Sequence, residues 1–195
     1  MARAGMANLI TEMRVLCQAG TADYSVAGGA YFSDDQIQAS LDETRAELRD
    51  VGLVDRPQRG TAGYSYLDYE IPRTAGAWFE EAATGSGWAV RDGTGATVGT
   101  ALYSVNYRAR MVTFASNTGG SAYLLDARAY DLNRAAANLW RRRAALEALS
   151  VDWSSDNHNV KASQRRDFCL DMAAQFEAQA GPSSGQFVRI DEVWG

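Results

Sequence analysis

The stretch 130–181, YDLNRAAANLWRRRAALEALSVDWSSDNHNVKASQRRDFCLDMAAQFEAQAG, constrains this chain most, because its spacing predicts two amphipathic helices joined by a polar loop. In the first, Leu132, Ala135, Ala136, Leu139, Arg143 (through its aliphatic stem) and Leu146 recur at spacings of three and four and so share one face. Asp131 stands at the N-cap position, where its carboxylate can accept from a free amide of the first turn, and the pattern runs to about Leu149. In the second, Phe168, Met172, Phe176 and Ala180 form the apolar stripe, with Ala173 beside it. Gly181 and Pro182 end it: one is free to adopt a positive φ, the other cannot continue a helix.

Upstream, a short helix is predicted over 7–19, with Leu9, Met13, Leu16 and Cys17 on one side and Gly20 closing it. A glycine-containing connection without periodicity follows. The segment YFSDDQIQASLDETRAELRD then predicts a helix over 33–50. Ser33 and Gln36 have capping-box spacing, Phe32 and Ile37 the spacing of a hydrophobic staple, and Asp34 and Asp35 suit the positive end of the helix dipole. Ile37, Leu41, Thr44 and Leu48 form its stripe, while Asp42, Glu43, Glu47 and Asp50 make its outer face acidic against Arg45 and Arg49.

From about residue 59 the pattern changes to short alternating runs (GYSYLDYEI, AWFEE, WAVRD, TVGTALYS, MVTFA, SAYLLDA) broken by glycine-rich turns such as Asp92-Gly93. These predict an antiparallel meander, small barrel or sandwich. The expected architecture is therefore α+β. Residues 1–58 and 129–181 form a bundle of about four helices, and a small antiparallel β module at 59–128 is inserted with its ends close together. Residues 182–195 form an extended tail: PSSG reads as a hinge, and Phe187, Val188, Ile190, Val193 and Trp194 are apolar and β-prone where a solvated terminus is normally polar.

Composition narrows the function. At 46% hydrophobic and 22% charged residues this is ordinary globular material without an apolar run of membrane-spanning length. The first twenty residues place charges inside their apolar region and do not read as a signal peptide. A net charge of −5 argues against a surface built to grip nucleic acid, though not against a conduit through which DNA slides, since a wall that repels phosphates would keep the duplex from sticking. Cys17 and Cys169 can pair in principle, but both sit at helical positions beside apolar neighbours, as buried thiols do. With one histidine and no clustered cysteines, no metal or cofactor is expected.

The candidate chemistries each have a plainer counterpart. His158, in SSDNHN, has no nucleophile at a recognisable spacing and is expected to be a solvated loop residue. Asp152, Asp156 and Asn157 lack the ligand run and closing glutamate of a calcium loop and are expected to form turns and a cap. DGTG and the other glycine clusters open no helix with Gly-Lys-Ser/Thr and are expected to be hairpin turns. Arg141, Arg142 and Arg143 point about 100° apart on a helix, so ion pairs within or between subunits are expected before DNA contacts. The aromatic residues Tyr64, Tyr66, Tyr69, Trp78, Trp88, Tyr103 and Tyr107 suit either a carbohydrate or receptor site or the core of a small β module. No catalytic residue is picked out, and the chain is not expected to be an enzyme.

The order Tyr-Asp-Leu, Ala-Ala-Ala, Leu-Trp, Arg-Arg at 130–142, then an aromatic with Ser-x-Asp-Asn at 153–157, then Ser163-Gln164 entering a last helix, resembles the head–tail adaptor (connector) proteins of long-tailed bacteriophages and gene transfer agents. The resemblance covers roughly the first 55 and last 65 residues. It implies a virion structural protein of the neck, assembled in the host cytoplasm, forming a ring of about twelve copies beneath the portal. That ring would extend the DNA channel without sequence-specific binding and dock the stopper or tail, with no membrane partner. On this basis Phe187, Val188, Ile190, Val193 and Trp194 are expected to bind the portal, the alternative being that the tail folds back on the chain's own apolar groove. Asp42, Glu43 and Glu47 are expected to face Arg141, Arg142 and Arg143 at a subunit interface. Another neck or tail-completion protein is the alternative within structural proteins.

Overall fold

The computed structural model describes residues 2–17, 25–26, 29–30, 32–61, 63–75, 78–149, 153–155, 158–160 and 162–181. In chain order the elements are α1 (Ala7–Leu16), β1 (Ser25–Val26), β2 (Gly29–Ala30), α2 (Asp34–Asp42), β3 (Arg45–Gly52), β4 (Val54–Gly60), β5 (Gly63–Glu70) and β6 (Trp78–Phe79). There follow β7 (Ala89–Asp92), β8 (Tyr103–Asn106), β9 (Met111–Phe114), β10 (Tyr123–Tyr130), α3 (Leu132–Glu147), β11 (Trp153–Ser155), β12 (His158–Val160) and α4 (Ala162–Gln179).

The helix starts follow from local chemistry. At α2 the Ser33 hydroxyl accepts from the Gln36 amide at 3.3 Å, and the Gln36 side chain accepts from the Ser33 amide at 2.9 Å, a complete capping box. At α3 the Asp131 carboxylate accepts from the Arg134 amide at 3.0 Å. Its other oxygen accepts from the Gly181 amide at 3.0 Å, so one side chain ties the start of α3 to the end of α4. The predicted polar loop between these helices contains a short hairpin instead, with Trp153 opposite Val160 and Ser155 opposite His158.

Two antiparallel four-stranded sheets carry the middle of the chain. In one, β10 is the centre: β3 runs along one edge, and β7 and β6 share the other, pairing with Tyr123–Asp126 and with Ala129–Tyr130. The second sheet has the order β4-β5-β9-β8. Strands β3 and β4 form nearly one ribbon broken only at Leu53, so the chain passes from the first sheet directly into the second. Leu48, Tyr69, Ile71, Phe79, Val90, Val112, Phe114 and Leu125 fill the core these strands share. Another core joins α1, α2 and α3 through Leu9, Ile10, Met13, Ile37, Leu41 and Leu139, and a small one sets Trp140 and Ala144 of α3 against Cys169 and Ala173 of α4.

A helical bundle with a small β insertion is not what forms. The described residues form four helices and, in these two antiparallel sheets, eight strands that have a full core of their own. Helices α1 and α2 have only 10 and 9 residues, about 14 Å each, and cannot run the length of the 16-residue α3 or the 18-residue α4. The predicted helix over 33–50 ends at Asp42: the Thr44 hydroxyl donates back to the Leu41 carbonyl, and from Arg45 the backbone pairs with β10. Leu48 is buried as expected, but by a strand and not by a helix stripe. The ladder carries a bulge where Arg49 and Asp50 oppose Asp126. Asp50 adopts φ 52°, and its amide donates to the Asp126 carboxylate at 2.9 Å. In α4 the buried line is also displaced from the predicted stripe: Cys169 and Ala173 are buried, whereas Phe168 is 50% exposed.

Candidate interaction surfaces

A buried ionic cluster holds the helices against the strands. Glu80, immediately after β6, has a fully buried side chain. It accepts from Arg3 Nε at 2.9 Å and from the Tyr130 hydroxyl at 2.7 Å, with Arg128 at 3.6 Å. Arg3 also donates to both oxygens of Asp42, at 2.8 and 3.2 Å. Its hydrogen bonds to Asp42 and then to Glu80 raise the Arg3 pKa further, so it stays charged at any ordinary pH. Burial opposes ionisation of Asp42, but the Arg3 guanidinium outweighs it and holds that carboxyl below the usual range. Burial first, and the Glu80 carboxylate second, push the Tyr130 phenol up. Beside this cluster Gly5 has φ +89°, and a Cβ there would lie 2.6 Å from the Glu81 carbonyl oxygen. The residues of this cluster are far apart in sequence. Its one sequence signal is Glu80 two residues after Trp78, in an inward-facing strand position.

The charged residues expected at a subunit interface find partners inside the chain. Glu43 accepts from Arg142 at 2.5 Å and from Asn138 at 3.1 Å, joining the end of α2 to α3. Asp42 belongs to Arg3, and Glu47 accepts from Arg128 at 3.1 Å and pairs with Arg45 at 3.3 Å. Arg141 is paired with Glu177 of α4. Arg143 is buried, its guanidinium 4.9 Å from the Trp140 ring centre. Of the six, only Glu43 and Arg142 join the acidic segment directly to the arginine-rich helix. The five tail residues, Phe187, Val188, Ile190, Val193 and Trp194, lie outside the described residues.

Two apolar surfaces remain. At the C-terminal half of α3, Phe32, Ala145, Leu146 and Leu149 line a groove of about 390 Å³, in which Leu149 is 81% exposed. Nearby elements expose Val15 of α1 and Phe168 and Leu170 of α4. The second is a larger groove, about 740 Å³, between α1 and the turn joining β8 to β9. Leu9, Trp78, Phe79, Val105 and Tyr107 form its apolar lining.

The remaining sequence candidates resolve into structure. The Asp92 carboxylate accepts from the amides of Thr94 and Ala96 and from the Thr94 hydroxyl, so DGTG is a hairpin turn; those bonds lower its pKa. Cys17 and Cys169 are free and buried, and burial pushes the Cys17 thiol up to about 12. Tyr69, Tyr103 and Trp88 pack into the core between the strands, while Tyr64 is 61% exposed. The backbone of His158 lies in β12; Asp152, Asp156 and Asn157 fall outside the described residues. Among the described residues no three His, Cys, Asp or Glu side chains are placed to hold a metal, and no helix is long and apolar enough to cross a membrane. No protein-family model and no curated protein matches the chain.

Proposed function

We propose that this chain is a structural subunit of a tailed-phage neck: a head–tail adaptor that assembles as a ring of about twelve copies under the portal, extends the DNA channel, and docks the stopper or tail. The observation that carries this is the apolar surface on the helices that bear the resemblance. Leu146 of α3, Leu149 just beyond its end, and Phe168 and Leu170 of α4 are exposed, where a lone subunit gains nothing from leaving them in water. In a ring, the groove at Leu146 and Leu149 of one copy receives Phe168 and Leu170 of the next, a heterologous contact that closes by rotation. The role is assembly, without catalysis. DNA passes through the lumen without sequence-specific contact, and the acidic balance keeps it from sticking. The tail residues 187–194 reach the portal, where an extended apolar segment can add to a sheet edge or fill a groove.

The test is native mass spectrometry and negative-stain microscopy of the chain with and without a portal ring. Closed rings are expected, and Leu149→Glu is expected to dissolve them while leaving the far-ultraviolet circular dichroism unchanged. Because the ion pairs at Glu43, Glu47 and Arg141 are internal, rings held by these apolar contacts should tolerate salt. A chain that remains monomeric under all these conditions is not an adaptor.

A further inference from the structure

The 740 Å³ groove between α1 and the β8–β9 turn combines an apolar floor with Arg110, which among the described residues has no carboxylate at ion-pair distance and feels Glu70 only at longer range. Arg110 adopts φ +59°, an unusual conformation for a non-glycine residue. Its guanidinium donates to the Pro72 carbonyl and sits 5.8 Å from the centre of the Phe79 ring, while its Nε is buried and has no hydrogen-bond partner among the described residues. Burial, then the neighbouring Arg73, pulls its pKa below the ordinary value. The adjacent Arg108 is already engaged by Glu12 of α1 at 3.0 Å. The groove therefore fits an apolar segment that brings a carboxylate.

One such segment begins close by. The end of α4 is anchored where the Gly181 amide donates to Asp131 and the Gly181 carbonyl accepts from Arg134. Asp131 follows Tyr130, and Tyr130 pairs directly with Trp78 at the edge of the groove. The 14 residues after Gly181 can span about 46–50 Å. In an extended segment, Val188, Ile190, Glu192 and Trp194 share one side, which places a single carboxylate among three apolar side chains. We propose that residues 187–194 of this same chain occupy the groove, with Glu192 against Arg110 and with Ile190 and Trp194 on the aromatic floor. This occupancy is independent of any role in a phage neck; where a partner also takes the tail, it must first displace it from the groove.

Hydrogen exchange of the full-length chain, followed by mass spectrometry, tests it through peptides covering 183–195 and 104–110. Tail amides are expected to exchange at least about tenfold more slowly than the same sequence as a free peptide, independently of protein concentration. Glu192→Lys should abolish that protection and speed exchange at 104–110 with the circular dichroism unchanged. Arg110→Glu should do the same, and pairing it with Glu192→Arg should restore protection. Free-peptide rates in the intact chain overturn the proposal. So does protection that survives Glu192→Lys, or protection that rises with concentration, since that places a second copy's tail in the groove.

Discussion

Arg3 serves two carboxylates at once, and the two respond differently when it is lost. Glu80 is wholly buried, so Arg3→Ala leaves its charge with only Tyr130 and the more distant Arg128. The expected loss is about 3 kcal/mol in denaturant unfolding, because stranding a buried charge costs more than the intact pair contributes. Asp42 is partly exposed, and its effect is one of pH. Its folded pKa lies below that of the unfolded chain, about 3.9, so its contribution is complete above that value and is lost as pH falls through the lowered one. Urea midpoints measured from pH 7 down to pH 3 should therefore fall less steeply for Asp42→Asn than for the natural chain. Beyond the spacing of Glu80 from Trp78, this is not legible in the sequence. Arg3, Asp42, Glu80 and Tyr130 each lie among neighbours that leave a solvated residue the simpler assignment, and only the fold shows that they converge.

Elements with local signals match their sequence patterns closely, whereas those set by distant partners do not. Helix α3 starts at Leu132 behind the Asp131 cap, and the capping box of α2 forms with both hydrogen bonds, since each depends on residues within four positions. Strand β3 is different. Thr44 and Leu48 continue the helical spacing of Ile37 and Leu41, while Ala46 and Leu48 equally satisfy a strand alternation, and the choice is made by β10 about eighty residues later. The strand assignment predicts that Leu48→Ala costs about 3 kcal/mol, through a cavity beneath the paired β3 and β10. Hydrogen exchange should then rise in both strands together, and acceleration confined to residues 34–48 would point to a helix. The larger groove was equally hidden: Trp78, Val105 and Arg110 lie well apart in the chain, and only the sheet order brings them to α1.

At the scale of the molecule, the helices and the sheets are bound by the same few residues. Tyr130 closes β10, packs into the helical core and donates to Glu80, while the Gly5 carbonyl accepts from the Glu81 amide. One cooperative transition is therefore expected, with near- and far-ultraviolet circular dichroism melting at the same temperature; two separated transitions would show that helices and sheets unfold independently. The same closure bears on how the chain is made. Arg3 meets Glu80 and Tyr130 across 77 and 127 residues, so once made it waits for a large part of the chain before it finds its place. At about 5–20 residues per second, the interval between making Arg3 and making Tyr130 is roughly 6–25 s. During it Met6, fully buried in the finished fold, has no core to enter, and α1 cannot be locked until its distant partners arrive. Arg3 is synthesised long before the residues that secure it.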